Sequence, residues 1–259
     1  MTKYIGWDVG IKNLSYCILD DTFNIIDWGI INLMDEPSVC CTINSKGNVC
    51  GKKSFYIDKT KNVINTRDTY CKIHGKKKEN VIEIGYCFYC SKKSKYIVDN
   101  EEHVCKVHSK NKENSQLILE TNASKLDLNI LGRNMIDKLD NNPSFLDVSF
   151  VVIENQPVLK NPKMKSIQMM LFTYFLIRNN TINVNLVSAG SKLKFNIKNE
   201  FTEKIEKLSN KYTKRKKLAV EYCKHFIKED TTKFNFFNTF KKNDDLADAY
   251  LLVRKFMIK

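Results

Sequence analysis

The stretch Ile5-Gly6-Trp7-Asp8-Val9-Gly10 opens a run of three short apolar segments near the start of the chain. The segments cover residues 3–9, 14–20 and 24–32 and are separated by turn-forming sequence, which predicts three consecutive strands paired as an antiparallel meander. Alternation along the first strand places Gly6 and Asp8 on one face and Ile5 and Trp7 on the other. An acid in apolar surroundings is costly unless it is paired or binds a cation. Asp8 is therefore the first candidate for a functional site.

Two later strings also place acids beside apolar sequence. Glu154 ends the strand-like run Val151-Val152-Ile153, and Asp244, Asp245 and Asp248 open an apolar helix. Asp245 and Asp248 are spaced i,i+3, whereas Asp244 and Asp248 are spaced i,i+4, so either pair can share one face of the helix. Asp244 also suits a helix N-cap. If the fold brings the three strings together, they form an acidic cluster that binds divalent metal ions, as phosphodiester hydrolysis requires.

The order of predicted elements indicates an α/β fold. After the three strands and a long insertion, the apolar spacing predicts a helix over 113–140, a buried strand at 148–154, a helix at 164–177, a strand at 183–187, a polar loop at 191–207 and two helices at 211–228 and 243–257. A strand–helix–strand unit is expected to be parallel with a right-handed crossover. The sequence therefore predicts a mixed five-stranded sheet flanked by helices.

Residues 35–112 interrupt this pattern and contain an internal repeat. The segment from Cys50 precedes Cys71-Lys72-Ile73-His74, and the segment from Cys90 precedes Cys105-Lys106-Val107-His108; the copies share Cys-x-Lys-Lys-Ser-x-Tyr-Ile. We interpret this region as a small zinc-binding module. It would be inserted into one discontinuous domain made of residues 1–34 and 113–259.

Each copy of the repeat supplies two cysteines and one histidine, and a closed tetrahedral zinc site needs a fourth ligand. Cys87 completes the second copy. In the first copy either Cys41 or Cys40 can complete the set, and we take Cys41 as the ligand with Cys40 as its alternative. The sequence therefore predicts two structural Zn²⁺ ions in Cys₃His sites, with the ligands Cys41, Cys50, Cys71 and His74, and Cys87, Cys90, Cys105 and His108.

The composition limits the classes of partner. The chain of 259 residues carries 43 Lys and Arg against 29 Asp and Glu, a formal net charge of +14, which favours a polyanion such as DNA, RNA or an anionic membrane. No apolar run approaches the roughly 18 residues of a membrane span, and among these polyanions we expect a nucleic acid as the partner and no membrane. The nine cysteines come with no signal peptide, which favours an intracellular, non-secreted protein without a disulfide scaffold.

Four strings outside the insertion resemble RuvC-like Holliday junction resolvases, which have the RNase H-like fold, in the branch found in poxviruses and other large DNA viruses. These strings are Ile-Gly-Trp-Asp-Val-Gly-Ile-Lys-Asn-Leu at 5–14, Val-Ile-Glu-Asn-Gln-Pro at 152–157, Asn-Pro-Lys-Met-Lys-Ser-Ile-Gln at 161–168 and Lys-Asn-Asp-Asp-Leu-Ala-Asp-Ala at 242–249. The first-strand acid of that family corresponds to Asp8, its mid-strand acid to Glu154, and its C-terminal Asp-x-x-Asp pair to Asp245 and Asp248. The zinc module departs from the minimal pattern of the family.

The resemblance implies an endonuclease with two Mg²⁺ (or Mn²⁺) ions per active site that cuts four-way DNA junctions as a homodimer. Asp8, Glu154, Asp245 and Asp248 would be both the catalytic residues and the metal ligands. If the source is viral, the place of action would be a cytoplasmic replication site or the host nucleus. Basic residues would contact the DNA backbone, and the candidates are Lys12, Lys160, Lys163, Lys165, Lys211, Lys214, Arg215, Lys216 and Lys217.

Three other functions stay open at this stage. A nuclease of the same fold could cut other branched DNA or RNA–DNA hybrids. A non-catalytic, zinc-dependent DNA-binding protein could use an RNase H-like scaffold, although the four acids argue against it. An actin-like or sugar-kinase-like ATPase also opens with Asp-x-Gly, but it needs a second phosphate-binding half that this chain is too short to supply.

Overall fold

The computed structural model describes residues 1–34, 39–58, 68–94, 96–98, 102–110, 116–117, 126–159, 161–195, 197, 200–240 and 242–258. The chain divides into two compact units, which are Met1–Asp35 with Asn122–Lys259 (unit 1) and Glu36–Thr121 (unit 2). None of the helices in these described ranges is long and apolar enough to cross a membrane.

The elements follow one another in this order: β1 (Lys3–Asp8), β2 (Leu14–Asp20), β3 (Ile25–Ile31), β4 (Tyr56–Asp58), β5 (Thr69–Tyr70), α1 (Lys72–Gly75), β6 (Val81–Glu83), β7 (Tyr96–Val98), β8 (Glu102–Val104), α2 (Lys106–Ser109), β9 (Gln116–Leu117), α3 (Leu128–Asp140), β10 (Phe150–Asn155), α4 (Pro162–Arg178), β11 (Asn183–Ser188), α5 (Glu200–Glu206), α6 (Lys211–Ile227), α7 (Thr231–Thr239) and α8 (Asp244–Met257). Two 3₁₀ turns, Pro143–Phe145 and Ser191–Leu193, lie between them.

Unit 1 is built on a five-stranded sheet with the order β11-β10-β1-β2-β3. Strands β1, β10 and β11 are parallel, whereas β2 and β3 pair antiparallel to their neighbours. The register pairs Trp7 with Ile153, so the ends of β1 and β10 lie side by side. The predicted mixed five-stranded α/β sheet flanked by helices is confirmed.

The two faces of β1 carry different kinds of packing, as its alternation predicts. On one face, Gly6 lies so close to α8 that an added Cβ would be 2.6 Å from the Ala249 carbonyl oxygen. On the other face, the Trp7 ring is fully buried and packs 5.2 Å from the Phe145 ring and 6.1 Å from the Phe175 ring of α4. Only a residue without a side chain allows α8 to approach the sheet so closely.

The described elements correct two sequence predictions and add one helix that was not predicted. The helix that was expected over 113–140 begins at Leu128, with Asp127 as its N-cap, and Gln116–Leu117 instead pairs as a strand with β7. The region expected to be a polar loop contains the 3₁₀ turn at Ser191–Leu193 and helix α5. Helix α7 was not predicted, and it buries Phe237 against Trp28.

Unit 2 contains two similar arrangements, one from each copy of the sequence repeat. Each has a three-stranded antiparallel sheet, β5-β4-β6 in the first copy and β8-β7-β9 in the second. A single-turn helix follows directly after a cysteine whose backbone is extended, Cys71 before α1 and Cys105 before α2. The repeat in the sequence is therefore also a repeat in the structure.

Candidate metal centre and two cysteine–histidine clusters

The carboxyl ends of β1 and β10 carry the first two acids of the predicted site. Asp8 is the last residue of β1, and Glu154 lies one residue before the end of β10. Because these neighbouring strands are parallel and in register, both side chains emerge at the same edge of the sheet. Helix α8 packs against β1 at Gly6 and brings Asp248 to this edge.

A residue that sequence reasoning missed lies between these acids. Lys192 Nζ is 2.6 Å from Asp248 Oδ2, 2.9 Å from Glu154 Oε2 and 3.5 Å from Asp8 Oδ1. The Lys192 residue is only 5% exposed. One signal could have identified it, because Ser191–Leu193 follows β11 at the same edge where β1 and β10 end.

Asp245 is held by different partners. Asn13 Nδ2 donates to Asp245 Oδ2 at 2.7 Å, and Ser15 Oγ donates to the Asp245 carbonyl oxygen at 2.8 Å. Asn13 belongs to the turn after β1, where an added Cβ on Gly10 would lie 2.3 Å from the Asn13 carbonyl oxygen. The glycine is thus required by the turn that positions Asn13.

Asp244 faces away from these contacts and pairs with Lys216 of α6. Burial acts to lower the pKa of Lys216, but the hydrogen bond and charge of Asp244, together with Tyr212, outweigh this and raise the pKa. The N-cap of α8 is Asn243, which makes no capping side-chain hydrogen bond. Asp244 lies in the first turn of α8, where its negative charge interacts favourably with the helix dipole.

The electrostatics of the acidic cluster, meaning Asp8, Glu154, Asp245 and Asp248, follow from burial and crowding. Burial raises the pKa of Asp8 well above its usual value and also raises the pKa of Asp248 and of Asp245. Burial acts in the same direction on Glu154, but a hydrogen bond with Asp8 and the charge of Lys192 lower its pKa. The two carboxyl groups are therefore coupled, with the pKa of Asp8 raised and that of Glu154 lowered.

Lys192 responds to the same cluster in the opposite sense. Burial acts to lower its pKa, but the negative charges of Asp8, Asp248 and Glu154 together raise it above the ordinary value. The ammonium stays charged at neutral pH and compensates the acids that touch it. Removing one partner of such a buried ion group typically costs about 3–5 kcal/mol, because the remaining charges lose their compensation.

This arrangement fits a divalent metal in its donor chemistry. Carboxylate oxygens from three separate elements already surround one positive charge, and oxygen donors are those that Mg²⁺ and Mn²⁺ prefer. Asp245 lies close enough for its charge to raise the pKa of Asp248. Asp8, Glu154, Asp245 and Asp248 are thus the residues that could hold such ions.

The predicted DNA-contacting residues fall into three groups. Lys12, Lys211, Arg215 and Lys217 are exposed, and the charge of Arg215 lowers the pKa of Glu154. Several others bind protein groups: Lys163 Nζ donates to the Leu126 carbonyl, Lys165 Nζ to Asn155 Oδ1, Lys214 Nζ to the Glu206 carbonyl, and Lys216 pairs with Asp244. Lys160 lies outside the described residues.

The cysteines and histidines of unit 2 form two matching clusters. The first contains Cys40, Cys50, Cys71 and His74, the second contains Cys87, Cys90, Cys105 and His108, and within each all ligand atoms lie within 4.8 Å of one another. The geometries agree in detail. Cys40 Sγ is 3.3 Å from His74 Nδ1, and Cys87 Sγ is 3.2 Å from His108 Nδ1.

The pKa values of these same two cysteines are lowered. Burial acts to raise the pKa of Cys40 and of Cys87, but hydrogen bonds lower both values to about 6. Donors to Cys40 include Thr42 and His74, and donors to Cys87 include backbone amides and His108. The thiolate, which is the form that binds zinc, is therefore favoured at neutral pH.

The structure corrects one preferred ligand. Cys40, which is fully buried, belongs to the first cluster, whereas Cys41 does not. The two residues are adjacent in the chain, but only the Cys40 thiol lies beside the other three ligands. The Cys40 amide donates to the Lys52 carbonyl and the Cys41 amide to the Thr69 carbonyl. Cys40, the alternative in the prediction, therefore replaces Cys41.

Comparisons with known proteins give two findings. No protein-family model matches the chain. Among solved structures, the yeast mitochondrial Holliday junction resolvase Ydc2 is similar with a TM-score of 0.42 and 13% identity, over 99% of this chain and 79% of that chain. A likeness of this degree carries no argument about fold or activity.

The sequence comparison is more informative. Uncharacterized protein L451 of Acanthamoeba polyphaga mimivirus is 33% identical over 310 aligned positions, which cover 98% of this chain and 74% of that protein. Identity at this level over nearly the whole chain includes both the sheet domain and the repeat. The chain belongs to the same family as the mimivirus protein L451.

Proposed function

We propose that the chain is a metal-dependent endonuclease that resolves four-way DNA junctions by hydrolysing a pair of phosphodiester bonds. The observation that carries this proposal is the convergence of Asp8, Glu154 and Asp248 on a single cation, Lys192 Nζ. These acids come from two neighbouring parallel strands and from the helix that crosses them. The mixed five-stranded sheet, with β1 at its centre, also agrees with the RNase H-like fold that the sequence resemblance implies.

Two Mg²⁺ ions held by the acidic cluster would lower the pKa of the attacking water and stabilise the leaving oxygen. The protein's own contribution is positional. Asp8 and Glu154 are fixed by the paired strands, and Asp248 is fixed by the close packing of α8 on Gly6. Asn13 orients the Asp245 carboxylate through its 2.7 Å hydrogen bond.

The exposed basic residues Lys12, Lys211, Arg215 and Lys217 are suited to bind the phosphate backbone of the substrate. Helix α6 carries three of them, and the charge of Arg215 reaches Glu154. A basic helix beside an acidic cluster separates two tasks, because lysines and arginine would neutralise the backbone while the acids hold the ions.

We also propose that each cysteine–histidine cluster binds one structural Zn²⁺. Three thiolates and one imidazole close the coordination sphere, so neither site has a free position for substrate. Elemental analysis of protein purified without chelator is expected to give about two zinc ions per chain. The role of zinc would then be to fold unit 2 rather than to take part in hydrolysis.

Homodimer formation is part of the same proposal, because paired cuts in a junction require two active sites. A cleft of about 900 Å³ lies between α3 and α4 and is lined by Met135, Ile136, Met169, Met170 and Ile177 among others. Ile177 is 73% exposed, and its apolar side chain would be covered by a second copy. Light scattering of the wild type and of Ile177→Glu should give a dimer and a monomer, respectively.

The experiment that tests the activity compares Asp8→Asn with Asp137→Asn on synthetic four-way junctions, forks and RNA–DNA hybrids in Mg²⁺. Asp137 lies exposed on α3 and provides the same chemical change away from the cluster. Loss of an outer partner of a metal ligand already costs 10–100-fold, so loss of a ligand should lower cleavage by more than about 100-fold. Asp137→Asn should cleave like the wild type.

The substrates separate the alternatives. Paired symmetric nicks in the junction support resolution. Cleavage of forks or hybrids alone would point to another nuclease of the same fold. Binding without cleavage by the wild type, at every Mg²⁺ and Mn²⁺ concentration tried, would point to a non-catalytic DNA-binding protein. Equal cleavage by wild type and Asp8→Asn would refute the assignment of the acidic cluster.

A further inference from the structure

Lys192 occupies an unusual place for a lysine, because its ammonium is buried among three carboxylates. Its ammonium lies within 2.6–3.5 Å of oxygens from three carboxylates, and its side chain is 7% exposed. The carboxylates come from β1, β10 and α8, so the lysine joins three elements of unit 1 through one positive charge.

We propose that Lys192 is a resident counter-ion that occupies the cation position of the metal-free acidic cluster and must leave it before the first divalent ion can bind. This inference rests on the proposed function, since it concerns the same cluster. The reason is direct competition for oxygen atoms. A divalent ion needs the oxygens that now accept from Lys192, and a second positive charge among them would be repelled at short range.

The surroundings of Lys192 allow this exchange without moving the sheet. Its backbone lies in the 3₁₀ turn Ser191–Leu193, which is fixed by a 2.7 Å hydrogen bond from Ser191 Oγ to the Ser188 carbonyl. Leu193 packs against the apolar core around α8. The turn therefore stays in place, and the four-carbon stem of the lysine can carry the ammonium away by changing rotamer.

The counter-ion serves the protein before metal binds. Crowded carboxylates without a cation repel one another and would take up protons or force the strands and α8 apart. Lys192 prevents this, so the cluster is already arranged when the ion arrives. The consequence is a weaker apparent metal affinity, because each binding event has to break three ion pairs.

The test measures Mn²⁺ binding by titration calorimetry and by the electron paramagnetic resonance of free Mn²⁺. Lys192→Gln removes the charge and should bind Mn²⁺ about tenfold tighter or more. Lys216→Gln is the matched control, because it removes an ammonium that pairs with Asp244. Asp244 lies on α8, the helix that also carries Asp248. The Mn²⁺ affinity of Lys216→Gln should stay within about threefold of the wild type. Unchanged or weaker Mn²⁺ binding by Lys192→Gln overturns the proposal.

A second measurement does not use Lys192→Gln, so it holds even if that variant does not fold. Amine-reactive labelling followed by mass spectrometry should find Lys192 protected in EDTA and reactive in Mn²⁺, with exposed Lys217 labelled equally in both. Lys192 that stays protected in saturating Mn²⁺ overturns the proposal. Asp8→Asn should lose the Mn²⁺-dependent change.

The outcome also separates this inference from the proposed function. Mn²⁺ binding that Asp8→Asn abolishes but Lys192→Gln leaves unchanged contradicts only the role of Lys192. No Mn²⁺ binding by either the wild type or Lys192→Gln contradicts the metal-dependent function itself. Mn²⁺ binding by Lys192→Gln alone supports the displacement of Lys192 in its strongest form.

Discussion

The two units of the molecule are stabilised in different ways. Unit 1 buries large apolar side chains on both faces of its sheet, including Trp7, Phe145, Phe175, Phe237 and Tyr250. Among the described residues of unit 2, four of the seven that form its two buried clusters are cysteines of the proposed zinc sites, which are Cys40, Cys71, Cys87 and Cys105. The first unit has an apolar core, whereas the second has ligands where a core would be. Removal of metal is therefore expected to affect the stability of each unit separately.

Removing zinc should have the largest effect, because it should unfold one unit and leave the other folded. A structural zinc site contributes about 10–16 kcal/mol of apparent binding free energy, which is also folding free energy in a small module. A strong zinc chelator is therefore expected to unfold unit 2 and leave unit 1 folded. Hydrogen exchange with mass spectrometry should show lost protection in residues 69–75 and 102–109 and retained protection in β1 and β10. Adding Mg²⁺ without zinc should not restore the lost protection, and a unit 2 that keeps it after zinc has gone would contradict the zinc assignment.

Adjacent cysteines allow a finer test of the same unit. Cys40→Ser removes one ligand of the first cluster and should lower the zinc content from about two ions to about one per chain. Cys41→Ser is the matched control, since Cys41 lies outside the cluster, and it should keep both ions. Zinc measured by mass spectrometry on both variants decides between the two cysteines. Loss of one zinc ion from Cys41→Ser but not from Cys40→Ser would identify Cys41 as the ligand.

The limits of sequence reasoning follow the same division. In unit 1, alternation and turn residues were enough to predict β1, β2, β3, β10 and β11 and the mixed sheet they form, because these strands are regular and cross the core. Helices α5 and α7 were missed. They are short, so their few turns give little periodicity to detect, and they are stabilised by packing that the sequence does not display.

The candidate site shows the same contrast between local and distant information. Asp8, Glu154 and Asp248 could be identified as candidate site residues from the sequence, because each is an acid within an apolar segment. Lys192 could not be selected in that way, since it lies 38 residues from Glu154 and 184 from Asp8 along the chain. It is one of many lysines, and only the fold brings it to the acids. The choice between Cys40 and Cys41 likewise depended on which of the two neighbouring thiols lies beside the other ligands.

A core substitution tests whether the apolar core stabilises unit 1. Phe175→Ala removes a fully buried ring that packs against Trp7 and should lower the free energy of unfolding of unit 1 by about 3–5 kcal/mol. Phe201→Ala, on a ring that is 62% exposed, should change it by less than about 0.5 kcal/mol. Urea unfolding followed by tryptophan fluorescence measures both, because the two tryptophans, Trp7 and Trp28, belong to unit 1. The zinc content of each variant should stay at about two ions, and a loss of zinc from Phe175→Ala would show that the units are not independent in stability.

The smallest expected effect concerns the turn between β2 and β3 and adds a pH dependence. Asp20 Oδ1 accepts hydrogen bonds from the Thr22 amide and hydroxyl and from the Asn24 amide, while Phe23 between them has a positive φ of 67°. Burial acts to raise the pKa of Asp20, but these hydrogen bonds outweigh it and hold the pKa below its usual value. Asp20→Asn keeps an acceptor oxygen but loses the charge, so it should cost about 1–2 kcal/mol at pH 7.

The sign of the pH dependence follows from the lowered pKa of Asp20. A carboxylate whose pKa is lower in the folded state contributes stability that is fully present above its unfolded pKa, about 3.9, and is lost as the pH falls through the folded value. The difference in unfolding free energy between wild type and Asp20→Asn should therefore be constant from pH 7 to about 5 and shrink below about pH 4. A difference that stays constant down to pH 3 would contradict the role of the charge. In the same acid range the thiolates of unit 2 take up protons and release zinc, so unit 2 should unfold before this difference in unit 1 begins to shrink. An acid titration that follows zinc release and tryptophan fluorescence together thus reads both units in one sample, and simultaneous loss of the two signals would mean that the apolar core of unit 1 depends on the metal ligands of unit 2.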